Sequence, residues 1–202
     1  MEDTVQPPLS YPLTFSFKIL SFASQFAVRD SGGNLVAYAR QKILALKEAV
    51  TVFADEQRTR ELYKINADRI IDWSARYNFT TAQGANLGAV KRQGMKSLWK
   101  ATYDIFDGDN PVMRIQETNP WVKMADALLS EIPFLNLIAG YVFHPVYEVT
   151  RADGTPVMRM TKQPAFFEGK FLIDKLAALN DVEEQRVLLG LMMAILLERS
   201  RG

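Results

Sequence analysis

Tyr147-Glu148-Val149-Thr150-Arg151-Ala152-Asp153-Gly154 places an aromatic residue, an apolar residue two positions later and a glycine at plus seven. The same spacing recurs at Phe26/Val28/Gly33 and at Tyr77/Phe79/Gly84, and each copy has a further apolar residue three positions on, at Val157, Val36 and Leu87. Residues two apart in an extended chain share a face, and glycine reaches the positive φ of a tight turn without strain, so each copy reads as a β-hairpin. A degenerate copy keeps Tyr103 and Ile105 but turns through Asp107-Gly108-Asp109-Asn110.

Further strand signals lie between the copies. Phe15, Phe17 and Ile19 alternate with Thr14, Ser16 and Lys18, the pattern of a strand wetted on one side. Val50–Phe53 and Leu62–Ile65 flank the charged run Asp55–Glu61, which predicts a hairpin with a longer loop. The remaining hairpins are predicted over Ser74–Val90, Leu98–Thr118 and Val146–Thr161. About ten to twelve short strands at this spacing predict a sandwich or a closed barrel.

Two stretches break the strand rhythm. After Asn119-Pro120, the apolar residues Val122, Ala125, Leu128 and Leu129 follow helical spacing, and Ile132–Phe143 is almost wholly apolar. This predicts a helical insertion near 121–140. The second break is Val187–Leu197, where every residue is apolar or glycine, preceded by Asp181 and Glu184 in a capping arrangement. A helix apolar on all sides needs protein or lipid around it. Eleven residues rise only about 16 Å, well short of the roughly 30 Å of a bilayer core. The expectation is a helix buried in its own protein, filling a barrel too wide to be closed by side chains alone. Gly190 within it lets a strand approach closely, so a large residue there would overpack the core.

Composition narrows the function classes. The 202 residues carry a net charge of +1, which gives no global attraction to nucleic acid. Having no cysteine removes disulfides, thiolate metal sites and catalytic thiols, and fits a reducing, cytoplasmic setting. Residues 1–10 lack the basic and apolar regions of a secretory signal and read as a mobile arm, leaving 11–202 as a single domain.

The order of these features resembles the tubby-like fold shared by tubby domains, phospholipid scramblases and LURP-one-related proteins. The resemblance rests on the hairpin repeats, on Phe26-Ala27-Val28-Arg29-Asp30-Ser31-Gly32-Gly33, on Gly140-Tyr141-Val142 with His144-Pro145, and on the Val187–Glu198 helix. It covers nearly the whole chain from Leu13 and implies a mainly β fold: a closed antiparallel barrel of about twelve strands around the hydrophobic C-terminal helix. The chain departs from the scramblases: it has no palmitoylation cysteines, only Pro7 and Pro8 in place of a long Pro-rich arm, and a segment 171–181 whose oxygen ligands are too widely spaced for an EF-hand-like calcium loop. The LURP-one-related group and its small, uncharacterised members are the better match.

Candidate chemistry is sparse. His144 is the sole histidine, no nucleophile-elbow pattern accompanies it, and one histidine without cysteine is a poor zinc set. Asp104, Asp107 and Asp109 surround a hairpin turn, where aspartate is favoured for local hydrogen bonds. The distribution of charge is more informative. Between Trp73 and Tyr103 there is no acidic residue, while Arg76, Lys91, Arg92, Lys96 and Lys100 supply five positive charges around Trp99. Basic residues beside an indole suit an anionic headgroup at a membrane surface. The competing reading is a solvated loop with Trp99 in the core. The sequence thus leads to a non-enzymatic protein without metal or other cofactor, peripheral to a membrane and not spanning it, with Arg76, Lys91, Arg92, Lys96, Trp99 and Lys100 as ligand-binding residues. The alternative is an interaction scaffold that uses 121–143 for a protein partner or a second copy of itself.

Overall fold

The structure, a computed structural model, describes residues 8–18, 23–42, 49–69, 75–94, 101–118, 145–165 and 168–199. Twelve strands run β1 (Leu13–Lys18), β2 (Ala23–Arg29), β3 (Leu35–Lys42), β4 (Ala49–Phe53), β5 (Glu61–Ala67), β6 (Arg76–Thr81), β7 (Asn86–Arg92), β8 (Thr102–Asp107), β9 (Asn110–Glu117), β10 (Val146–Arg151), β11 (Pro156–Gln163) and β12 (Glu168–Lys175), followed by helix α1 (Asp181–Arg199). Every strand pairs antiparallel with its sequence neighbour, and β1 pairs with β12 to close the barrel. Closure satisfies the backbone groups that an open sheet leaves bare at its edges.

The repeat has a physical basis at each copy. Phe26 and Val28, Tyr77 and Phe79, Tyr103 and Ile105, and Tyr147 and Val149 are all buried in one core. Gly33, Gly84 and Gly154 have φ of 82°, 90° and 86°. Just before each of these turns the register slips, at Val28/Arg29, Phe79/Thr80 and Val149/Thr150. A bulge at this position raises the local twist, which helps a sheet coil into a barrel. Aspartates hold several turns: Asp30 accepts from the Asn34 amide at 2.8 Å, Asp55 from Thr59 at 3.0 Å and Asp153 from Thr155 at 2.8 Å.

The barrel is filled by α1. Between Val187 and Leu197 only Leu188 and Leu197 are less than fully buried, and the helix touches the wall on all sides because its own surface is apolar on all sides. A Cβ at Gly190 would lie 3.3 Å from Ile105 Cδ1 and 3.5 Å from Ile115 Cδ1, so this position brings the helix axis close to β8 and β9. Among the described residues no helix is long and apolar enough to cross a membrane. The helix starts one residue earlier than the sequence pattern indicates. Asn180, not Asp181, is the N-cap: its Oδ1 accepts from the Glu183 amide at 2.9 Å, and Glu183 Oε2 accepts from the Asn180 amide at 3.0 Å. This is a reciprocal capping box, with Asp181 left to face the positive end of the helix dipole.

The barrel has two unlike ends. At one, the hairpin rim, lie the tight turns after β2, β4, β6, β8 and β10 together with the start of α1. At the other, the distal rim, lie the ends of β1, β3, β5, β7, β9 and β11 and the last turn of α1. Residues 8–12 strap the hairpin rim: the Ser10 carbonyl accepts from the Ser31 amide at 3.0 Å, and Tyr11 donates to Glu184 Oε1 at 2.8 Å. The helical insertion expected near 121–140 lies outside the described residues.

Candidate functional site

The sequence assigns six residues to one basic surface, and the structure divides them. Lys96, Trp99 and Lys100 lie outside the described residues. Arg76, Lys91 and Arg92 belong to the paired strands β6 and β7, where Arg76 sits directly opposite Lys91. Alternation along β7 then sends Lys91 and Arg92 to opposite faces of the sheet, because successive side chains of a strand point to opposite sides.

Arg92 is the inward one, and it leaves the surface set. It pairs with Tyr103 across β7 and β8, is only 6 % exposed, and its guanidinium lies 5.9 Å from the Tyr103 ring centroid. Its Nη2 is 3.4 Å from Glu198 Oε1 on the last turn of α1, and the Tyr103 hydroxyl donates to the same oxygen at 2.6 Å. Nearby, Glu117 is fully buried and stands opposite Tyr147 across β9 and β10. Burial first, and then the carboxylates of Glu198 and Glu117, push the Tyr103 and Tyr147 phenols far above their ordinary range. These groups fasten the helix end to the barrel wall through charge-assisted hydrogen bonds. Sequence reading missed Glu117 and Glu198 in this role. The available signal was parity: Met113, Ile115 and Glu117 alternate along β9, so the acid shares the inward face of its apolar neighbours.

Arg76 faces outward yet is committed to its own protein. Its Nη1 is 2.9 Å from Asp109 Oδ1, its Nη2 donates to the Gly108 carbonyl, and its guanidinium lies 4.9 Å from the Phe106 ring centroid. Asp104, which flanks the acid-free window, faces outward in the same row of residues as Arg76 and Lys91. It accepts from Arg114 Nε at 2.8 Å and from Gln93 Nε2. Lys91 is therefore the member of the set that faces outward from the end of β7 and makes no hydrogen bond or ion pair among the described residues. Its charge helps hold the Asp68 carboxyl below its usual value, with hydrogen bonds from the Arg76 amide and Arg69 outweighing the opposing effect of desolvation.

The site holds cations and an aromatic wall but no assembled catalytic group. Among the described residues no three histidine, cysteine or carboxylate side chains come together as a metal set. His144 lies outside the described residues.

Comparison with known proteins agrees with this architecture. No curated protein matches the sequence. A crystal structure of a protein from Arabidopsis thaliana is 13 % identical, with 94 % of this chain and 92 % of that chain covered and a TM-score of 0.49. The model of the LURP-one-related family matches residues 36–194, from β3 almost to the end of α1. With twelve strands closed around one helix, and with most of the sequence matched, the chain belongs to the LURP-one-related family of the tubby-like superfamily.

Proposed function

We propose that this domain is a non-enzymatic module that binds anionic phospholipid headgroups at a membrane surface. Lys91 is the described contact, and Lys96, Trp99 and Lys100 in the connection after β7 complete the set. Arg76 and Arg92, which serve their own protein, are not part of it. The observation that carries this reading is Lys91. It is a lysine at the outer end of a strand, in a window of sequence without acids, and it has no ion-pair partner among the described residues. A cation that the fold does not use is available to a ligand, and near an anionic bilayer each such lysine adds about 1 kcal/mol of attraction.

Flotation with phosphatidylcholine vesicles, with and without about a quarter phosphatidylserine, tests the proposal. Binding is expected only to the anionic vesicles, weakening as salt rises. Replacing Lys91, Lys96 and Lys100 together by glutamate is expected to lower the apparent partition coefficient on the order of 100-fold or more. Equal binding to neutral vesicles, or binding unchanged in the triple variant, refutes the proposal.

A further inference from the structure

We infer that the domain docks on the anionic bilayer end-on, with the distal rim toward the lipid and the hairpin rim toward water. This rests on the headgroup reading above and adds its geometry. The inference comes from how charge is distributed along the barrel axis. The hairpin-rim segments 8–12, 29–35, 53–61, 81–87, 106–111, 151–156 and 174–186 hold eleven acidic and six basic residues, a net of −5. The remaining described residues, which form the barrel wall and the distal rim, hold thirteen basic and six acidic residues, a net of +7. A chain with an overall charge of +1 therefore conceals a strong polarity, which no sequence-wide count reveals.

Three features make this polarity effective. First, strands such as β6, of six residues, separate the ends by about 20 Å, beyond the Debye length of roughly 8 Å at physiological salt. A surface at one end thus feels that end alone. Second, the acids of the hairpin rim are held ionised by the turns they build: hydrogen bonds from Asn34, Thr59 and Thr155 keep the carboxyls of Asp30, Asp55 and Asp153 below their ordinary range. They stay negative even where an anionic membrane lowers the local pH. Third, the macrodipole of α1 runs the opposite way, positive at the hairpin rim, but amounts to only about half a charge at each end and cannot reverse the balance. Lys162, which is exposed near the distal end of β11, and Lys170, outward on β12, extend the positive end beyond Lys91.

The absence of cysteine makes a direct test simple, because one introduced thiol gives one labelled site. Gly94→Cys marks the distal rim, where an added Cβ meets nothing within 4 Å, and Gln83→Cys marks an exposed hairpin turn. Each variant, with an environment-sensitive fluorophore, is added to phosphatidylcholine–phosphatidylserine vesicles containing a headgroup-linked quencher. The label at 94 is expected to be quenched several-fold more than the label at 83. Binding with equal quenching, or with the order reversed, overturns the orientation and leaves the headgroup reading standing. No binding by either variant overturns both. Release from the vesicles by duplex DNA at matched charge makes the partner a nucleic acid and also overturns the inference.

Discussion

Gly88→Ala examines the contact between wall and helix most directly. Gly88 lies on β7 with φ of +119°, a backbone conformation that L side chains rarely adopt. Holding a residue in so sparsely populated a region costs about 1–3 kcal/mol. A Cβ there would also overlap the Phe106 carbonyl oxygen and lie 2.6 Å from Arg186 Nε. The carbonyl belongs to a paired strand and cannot retreat, so Arg186 must move. Arg186 is buried, donating from Nε to the Leu87 carbonyl at 2.5 Å and lying 2.9 Å from Asp107 Oδ1 through Nη2. Breaking a buried charged contact costs about 3–5 kcal/mol when one partner is left behind, and the exposed Asp107 places this case at the lower end. The two effects share one relaxation and do not add in full, so the expected loss is about 4 kcal/mol, a large part of a typical 5–15 kcal/mol of stability. The control is Gly33→Ala, where φ is 82° and nothing lies within 4 Å of the added carbon, so the loss should stay near 1 kcal/mol. Urea denaturation followed by circular dichroism measures both, with the slope checked for constancy. If Gly88→Ala loses no more than Gly33→Ala, the steric argument is wrong. If the loss is large but Arg186→Met does not couple to it in a double-mutant cycle, the clash lies with the strand and not with the arginine.

Alkali should unfold this domain through its phenols. Burial pushes the Tyr63 phenol up to about 12, and Tyr11, Tyr103 and Tyr147 further still. Below pH about 10 these groups are neutral whether the chain is folded or not. Above it the unfolded chain ionises and the folded one does not, so stability falls as pH climbs through the folded value of Tyr63. The urea midpoint should drop above pH 10, with tyrosinate absorbance appearing together with unfolding; ionisation of these tyrosines near pH 10 in an intact fold contradicts their burial. A chain ending before Val187 should aggregate or fail to melt cooperatively, since the barrel wall would face an empty interior; a soluble truncation with a sharp thermal transition would refute the buried-helix model.

Much of the fold is legible in the sequence because it depends on local chemistry. Aromatic and apolar residues two apart and a glycine at plus seven specify a hairpin wherever they occur, and a helix without a polar face must be enclosed. The strand β12 was harder to see, since Gly169-Lys170-Phe171-Leu172-Ile173 lacks a turn glycine of the repeat and finds its partner β1 at the far end of the chain. The candidate site was less legible. Lys91 and Arg92 are adjacent in sequence, which groups them, but the two-residue period of a strand sends one to each face. Arg76 is lost to the surface set for another reason: Asp109, its partner, comes from a turn 33 residues away, beyond the reach of any local pattern. The N-cap at Asn180 shows the finer grain, where two neighbouring residues of equal capping propensity were separated only by geometry.

The closed strand order has a bearing on how the chain comes to be folded. β1 cannot gain its second neighbour until β12 exists, and the eleven strands that precede β12 must wait longer still for the helix that occupies their interior. During synthesis the growing chain thus presents two open sheet edges and an unfilled apolar concavity, both hazards for association with other chains. Residues such as Phe15 and Phe171, opposite each other in the finished wall, are among the most distant in sequence. The domain is accordingly expected to fold slowly, to depend on protection while nascent, and to tolerate premature termination worse than almost any internal substitution.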